Sequence, residues 1–448
     1  MRALIIGAGN AGSRLTRKLC AENYDVVVVD RDAGALEELE AELDIMTVQG
    51  HGADPEVLDE AQIEKCDVLA GVTNSDDTNI LAGIMAKRAG TEYVVARIIN
   101  SNHLDAREYA NLSELGIDLA INPHEQCAMD IQNMLRLPGI IETAGLFGNL
   151  IMAAAIQIPA DSPLIDVPLK DLSDEKLISK IRFISRIKDE ELDIPFGESV
   201  FHDGDIVYAV GTRKDINDFL YWCRPGTAPA DKVVIASGHK IGLALAKRME
   251  DEADVYLIEH DPDCAQHCSD NLGKTTVMLG NMLSQEIYQE IGFTRNTAFV
   301  AASENDEDNI IACLLANKRS ALYTTALIKE PEYVPIIDSL HLIDRTVSTH
   351  ISLINSILQF IRGKNVMAAA ELHTISGELL EIKIGDKSRW VGKKISEINM
   401  PKESIIATVL RGDTIHPAIG SLELKAQDRL AIFSTPKSVK KLRALCKG

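Results

Sequence analysis

The stretch from Gly7 to Asp30 constrains this chain most, because an eroded copy of it runs from Ser237 to Glu259. In the first copy the apolar run Ala3-Leu4-Ile5-Ile6 leads into Gly7-Ala8-Gly9-Asn10-Ala11-Gly12, and a second apolar run, Val26 to Val29, ends on Asp30. That order reads as strand, glycine turn, helix and strand. Gly7 allows a tight turn out of the strand, Gly9 lets the backbone approach a pyrophosphate, and Gly12 lets the helix pack on the sheet. The helix N-terminus offers unpaired N–H groups and a partial positive charge to phosphates. Asp30, at the tip of the second strand, is placed to accept both hydroxyls of an adenosine ribose and to repel a 2′-phosphate, which favours NAD over NADP. An ordinary glycine turn carries the same glycines. Here the strand before, the helix after and an acid 23 positions beyond Gly7 agree on an adenine-nucleotide site.

The chain lies on itself at a shift of 229 or 230 positions. Asp25-Val26-Val27-Val28-Val29-Asp30 then falls on Asp254-Val255-Tyr256-Leu257-Ile258-Glu259, and the run Val72 to Asn79 falls on Ala302 to Asn309. Between these anchors short apolar strands alternate with helical stretches: Val68 to Val72, Thr78 to Ala89, Val94 to Ile98, and Leu104 to Leu115 closed by Gly116. Strand-helix alternation predicts a parallel, doubly wound sheet in each half. After each such unit the texture changes to short alternating runs and turns, from Leu150 to Phe219 and from Glu371 to Leu442. These read as two small α+β domains of about 70 to 80 residues. The turn-rich segment Arg224 to Asp231 is the linker between the halves. Two helices join the sub-domains, Glu125 to Leu137 and Ile351 to Ile361. The second carries Ile351, Ile354, Ile357, Leu358 and Ile361 at helical spacing, a stripe that suits either buried core or a helix crossing to a neighbouring subunit.

Charge narrows the partners. The 448 residues carry 46 Lys plus Arg against 67 Asp plus Glu, a formal charge of −21 that repels nucleic acid and anionic lipid. Cys20, Cys66, Cys127, Cys223, Cys264, Cys268, Cys313 and Cys446 form no C-x-x-C pair, which suits a reduced, cytosolic setting. Cys264 and Cys268, with His267 and His260 near, could be taken for a zinc set, but the segment mirrors an ordinary helix of the first half. No signal peptide opens the chain, and the longest uncharged stretch, Thr143 to Ala160, is too short and interrupted to span a bilayer.

In this order, duplicated, Gly7-Ala8-Gly9-Asn10-Ala11-Gly12, Val28-Val29-Asp30, Gly50-His51, Val72 to Asn79 and Ala96-Arg97 resemble the TrkA-like regulators of Trk-type potassium uptake, built from two tandem RCK domains. The resemblance spans Met1 to about Leu445. It implies two Rossmann-like doubly wound parallel sheets, each followed by a small α+β domain of RCK C-terminal type. The expected domains are 1–137 with the crossover helix, 138–223, the linker 224–231, a degenerate second Rossmann-like domain at 232–363, and 364–448. It also implies a non-enzymatic switch: a homo-oligomeric ring, a tetramer, on the inner face of the plasma membrane beneath a TrkH-like potassium-translocating subunit. By the same resemblance Gly7, Ala8, Gly9, Asn10 and Ala11 hold the phosphates of NAD or NADH, or of ATP or ADP, and Asp30 holds the ribose. Arg31 flanks the adenine, with Gly50 and His51 at the third strand end. Thr73, Asn74 and Asp76 line the crevice, and Arg97 faces the phosphates or the second nucleoside, unless it is a surface ion pair.

The second half departs from that pattern. Gly7 and Gly9 correspond to Ser237 and His239, so the turn is costlier and a side chain intrudes on the phosphate path. Glu259 keeps an acid and Ser303 stands where Thr73 does, but Arg97 is matched by Leu327. A weak or absent second nucleotide site is the expectation. An NAD-dependent oxidoreductase is the rival reading, yet the repeat and two small domains leave no sequence for a substrate domain, and no H-E-x-x-H, G-x-S-x-G or phosphate-loop motif occurs. Asp189-Glu190-Glu191 with Asp193 reads as a solvated loop rather than an acid pair. A ligand-sensing regulator of another cation transporter is the other alternative.

Overall fold

The computed structural model describes residues 1–448 apart from 23, 101–110, 137–138, 148–149, 173–175, 189–190, 225–228, 295, 331–332, 341, 365–368, 373–376, 387, 436–437, 439–441 and 443–448. Two compact units are formed: Met1–Asn133 with Ala230–Ile361, and Met134–Pro229 with Arg362–Gly448.

The chain begins with strands β1 (Arg2–Ile6), β2 (Asp25–Asp30), β3 (Met46–Gln49), β4 (Val68–Gly71), β5 (Tyr93–Arg97) and β6 (Leu119–Ile121). All are parallel, in the order β3-β2-β1-β4-β5-β6. Helices α1 (Asn10–Ala21), α2 (Ala33–Glu42), α3 (Pro55–Glu60) and α4 (Asp76–Ala89) lie between strands, and α5 (Pro123–Arg136) follows them. Because both faces of a parallel sheet are covered, its strands read as unbroken apolar runs. Alternate residues supply two cores, Ala3, Ile5, Val26 and Val28 on one face and Leu4, Ile6, Val27 and Val29 on the other. Helix α4 is delimited by its sequence: Ser75 accepts from the Thr78 N–H, Asp76 and Asp77 sit in the first turn, and Gly90 ends it at φ +102°.

Next come β7 (Ile140–Leu146), β8 (Ile151–Gln157), β9 (Arg182–Lys188), β10 (Glu191–Asp193) and β11 (Ile206–Thr212), then α6 (Arg213–Cys223). These strands form an antiparallel sheet in the order β10-β9-β11-β8-β7. The uncharged stretch from Thr143 is thus largely the β7–β8 hairpin, and no described helix is long and apolar enough to cross a membrane.

The first architecture then recurs. Strands β12 (Lys232–Ala236), β13 (Asp254–Glu259), β14 (Thr276–Leu279), β15 (Thr297–Ala301), β16 (Tyr323–Leu327) and β17 (Arg345–Val347) are parallel, in the order β14-β13-β12-β15-β16-β17. Their helices are α7 (Lys240–Met249), α8 (Pro262–Asn271), α9 (Gln285–Ile291), α10 (Asp306–Lys318), α11 (Tyr333–Leu340) and α12 (Thr349–Lys364). A second antiparallel sheet closes the chain: β18 (Ala369–Leu372), β19 (Gly377–Lys383), β20 (Ser404–Arg411), β21 (Thr414–Pro417) and β22 (Arg429–Ser434), in the order β18-β19-β22-β20-β21. Within the second unit the two antiparallel sheets share one core, in which Phe147, Ile151 and Tyr208 meet Leu379, Ala407 and Phe433.

The apolar stripe of α12 has its answer inside the first unit. Leu353, Ile354, Ile357, Leu358 and Ile361 bury in the core formed by β1, α1 and β2, that is, against the other half of the same chain. Helix α5 makes the reciprocal crossing: Gln132 donates to the Arg248 carbonyl (3.0 Å) and to Glu252 (2.9 Å), and Arg248 pairs with Glu125 at 3.0 Å. Most of the expected helix from Leu104 (104–110) and most of the linker (225–228) lie outside the described residues, as do Asp189, Glu190 and Cys446. Asp193 is held by Arg186.

Candidate functional site

The strand order reverses between β1 and β4, and in such sheets ligands sit at the carboxyl ends of the strands at that point. A cleft of about 260 Å³ opens there, lined by Gly7, Gly9, Asn10, Ala11, Asp30, Val72, Thr73, Asn74, Arg97 and His350. The three glycines of the turn do three different jobs. Gly7 sits at φ +110°, a conformation a side chain would strain. A Cβ on Gly12 would stand 1.7 Å from the Gly7 carbonyl oxygen, so α1 packs here only without one. Gly9 has open space in front of it, the room a phosphate needs.

Helix α1 leaves its first N–H groups without a side-chain cap, whereas Asp32, Asp54 and Ser75 cap α2, α3 and α4. Its free end therefore presents donors and positive partial charge to the cleft. Arg97 adds a full charge. Its Nη1 donates to Asn74 Oδ1 at 2.8 Å, and its buried Nε has no partner among the described residues. Burial pulls the Arg97 pKa down, opposed by the Asp76 carboxylate, and no carboxylate pairs with it directly among the described residues. The guanidinium is thus held by an amide and left with capacity for an anion.

Asp30 is aimed by the turn it serves. Its Oδ2 accepts from the Ala8 N–H at 2.5 Å and its Oδ1 from the Asp32 N–H at 2.9 Å, fixing the carboxylate at the cleft edge. Asn79 ties the floor together. Its Oδ1 accepts from the Thr73 N–H and hydroxyl, while its Nδ2 donates to the Thr73 and Arg97 carbonyls, joining the ends of β4 and β5.

Several expected residues stand elsewhere. Arg31 is exposed and outside the lining, and its carbonyl accepts from Gln49. Gly50 packs against Val57, and His51 Nδ1 accepts from the Ala53 N–H. Asp76 is structural in this geometry, its two oxygens accepting from the Ile99 and Asn100 N–H groups at 2.8 Å each. Ala8 contributes its N–H to Asp30 rather than to the cleft surface. Sequence reasoning missed Val72 and His350. Val72 follows from its place beside Thr73, but nothing local to His350 announces it.

The second half has a cleft of about 230 Å³, so its difference from the first is chemical rather than one of size. Ser237, His239 and Ser303 line it, with Ile258, His260, Gly280, Asn281, Met282, Glu304, Asn305 and Asp308. Ser237 adopts φ +90°, in the strained region that Gly7, at +110°, occupies without cost. Glu259 is not among the lining residues. Its side chain is fully buried, Oε2 accepting from the Gly238 N–H (2.7 Å) and Oε1 from those of His260 and Asp261 (2.7 and 3.0 Å). It accepts from the N–H groups that correspond to those holding Asp30, and from one more, and it does not line the cleft. Leu327 is buried where Arg97 reaches out, and Glu304 occupies the position of Asn74, paired with Lys329. Cys268 lies beneath this turn, its thiol donating to the Gly238 carbonyl, and no described group of His, Cys, Asp or Glu is arranged to hold a metal ion.

Comparison with known proteins agrees with this architecture. The TrkA-N domain family matches residues 3–123 and 233–349, and the TrkA-C domain family matches 153–222 and 379–447. The chain is 28% identical over 442 residues, covering 98% of itself and 96% of the other, to the Trk system potassium uptake protein TrkA of Vibrio alginolyticus. It is 29% identical to the protein of that name from Halomonas elongata, covering 98% and 96%, and 27% identical to a TrkA homolog of Archaeoglobus fulgidus, covering 99% and 100%. Among solved structures, the GsuK RCK domain matches with TM-score 0.58 and 19% identity, covering 100% of this chain and 95% of that one. The GsuK channel bound to NAD matches with TM-score 0.59 and 18% identity, covering 100% and 79%. With both families matched twice, in the order in which the two kinds of sheet alternate, the chain belongs to the TrkA-N and TrkA-C domain family and carries the tandem RCK fold.

Proposed function

We propose that this chain is the regulatory subunit of a Trk-type potassium uptake system, binding NAD, NADH or a related adenine nucleotide in its first cleft and gating a TrkH-like membrane subunit. The observation that carries the reading is the pairing of an uncapped α1 with the open face of Gly9 and the free capacity of Arg97, in a chain that aligns with a TrkA protein over 98% of its residues. Gly7, Gly9, Asn10 and Ala11 with Arg97 serve the phosphates, Asp30 serves the ribose, and Thr73 and Asn74 border the remainder. ATP and ADP share the adenosine diphosphate part, so the same residues accept them. The fold match to an NAD-bound channel supports the choice of ligand class.

The protein works as a homo-oligomeric ring, a tetramer, at the inner face of the membrane, and it acts by binding rather than by catalysis. A nucleotide with different affinity for two ring shapes shifts their populations, typically by about 1–3 kcal/mol of coupling. The charge of −21 suits a partner whose cytoplasmic loops are rich in Lys and Arg, and it argues against nucleic acid as a target. Two measurements test this. Calorimetry of the full chain with NADH and ADP is expected to give one site per chain. Potassium flux through vesicles holding the membrane subunit and this chain is expected to change with nucleotide. Absence of saturable binding, or flux indifferent to nucleotide, overturns the proposal.

A further inference from the structure

We infer that His350, delivered by the crossover helix of the second half, contacts the phosphates of a nucleotide in the first cleft, so that one ligand is gripped by both halves of the repeat. The inference rests on the nucleotide reading of that cleft and adds to it a residue from the other half. Every other lining residue of the cleft comes from the span Gly7 to Arg97, and His350 alone comes from the second half. Its place is set by packing, since Leu353, Ile354, Ile357, Leu358 and Ile361 anchor α12 in the first half's core. The imidazole is half-buried and has no hydrogen-bond partner among the described residues, though every ring nitrogen is a donor or acceptor.

The charges around it point to an anion. Arg97 from the end of β5, Arg14 from α1 and Lys329 beyond β16 all bear on His350, while Asp30 lines the same cleft from β2. Burial first, and then these three cations, hold its pKa below the ordinary histidine value. A phosphate in the cleft supplies the missing counter-charge, so His350 gains a proton as the ligand binds. The sign follows: between the low pKa of the empty site and the higher one of the filled site, affinity falls as pH rises. Arg97 keeps its charge throughout and contributes no such slope.

The test is calorimetry of the full chain with NAD and with adenosine, between about pH 6 and 8, in buffers of different ionisation enthalpy. NAD is the probe because its pyrophosphate diester does not titrate there. The unmodified chain is expected to bind NAD more tightly at low pH with net proton uptake, and adenosine with neither. His350→Gln is expected to weaken NAD about tenfold, remove the proton uptake and leave adenosine unchanged. His350→Arg is expected to restore affinity without a pH slope. If His350→Gln binds NAD with the parent's affinity and slope, the inference is overturned while the nucleotide site stands. If the parent itself binds no NAD, the nucleotide reading falls and this inference falls with it.

Discussion

At the tip of the second strand the first half carries Asp30 and the second carries Glu259; both accept from corresponding backbone N–H groups, yet only Asp30 lines a cleft. Asp30 spends two oxygens on two backbone N–H groups and stays at the cleft edge, while Glu259 reaches three and is fully buried. The same division runs through both clefts. Residues that build the turn have counterparts: Gly12 and Gly242 both approach a carbonyl oxygen that a Cβ would strike, and Asn79 and Asn309 make the same bridge between strand ends. Residues that face the first cleft differ in the second half, with Ser237 for Gly7, His239 for Gly9, Glu304 for Asn74 and Leu327 for Arg97. A duplicated copy has thus kept the mechanics of the cleft and exchanged the side chains that face it.

Five substitution experiments break or sharpen this contrast. The largest effect belongs to the shared mechanics: Gly12→Ala and Gly242→Ala place a Cβ 1.7 and 1.9 Å from a backbone oxygen, and each is expected to cost about 3 kcal/mol in denaturant unfolding, if the variant folds at all. A tolerated substitution in the second half alone would mean its turn is no longer built like the first. Next is the acid pair. Asp30→Ala is expected to weaken nucleotide binding by about 1.5–3 kcal/mol, whereas Glu259→Gln leaves affinity unchanged and lowers stability by about 2 kcal/mol.

The pH dependence sharpens that second test. Burial works to raise the Glu259 pKa, but the backbone N–H groups of Asp261, Gly238 and His260, with His239 nearby, outweigh it and hold the carboxyl below its usual range. A lowered folded value means the stabilisation is present above the ordinary carboxylate pKa and is lost as pH falls through the folded one. Melting of Glu259→Gln is therefore expected to lose part of the parent's acid-side decline.

Smaller effects follow. Arg97→Leu, which copies the second half, is expected to cost about 1.5 kcal/mol for NAD and little for adenosine. In the reverse direction, Ser237→Gly with His239→Gly and Leu327→Arg is expected to add a second, weaker binding event in calorimetry. If stoichiometry stays at one, Glu304 or the buried Glu259 is the dominant barrier. Smallest is Ser237→Gly alone, which removes the strain at φ +90° and is expected to stabilise the fold by about 1 kcal/mol in thermal unfolding.

Local signals carried far in this protein because each acts over a short span of chain. The spacing of Gly7, Gly9 and Gly12, the unbroken apolar strands and the register of the repeat report sterics and period, which neighbours in sequence decide. They led to the parallel, doubly wound character of both sheets, to the strain at Ser237 and to the contrast of Arg97 with Leu327. They did not separate Asp76, consumed by the backbone of Ile99 and Asn100, from Asn74, which faces the cleft. Both are polar residues in one turn, and only the position of the chain beyond β5 tells them apart.

The amino-acid sequence by itself determined that the apolar stripe of Ile354, Ile357, Leu358 and Ile361 needs a covering surface, that two doubly wound sheets are made, and that one glycine turn is intact and the other is not. Only the tertiary structure decided that the stripe buries in the first half of its own chain, that Glu259 is buried and does not line its cleft, and that His350 lines a cleft whose other residues are more than half the chain away. The reason is physical: apolar burial has magnitude but no address, so periodicity states that a face will be covered and leaves the partner to be chosen by shape and chain connectivity.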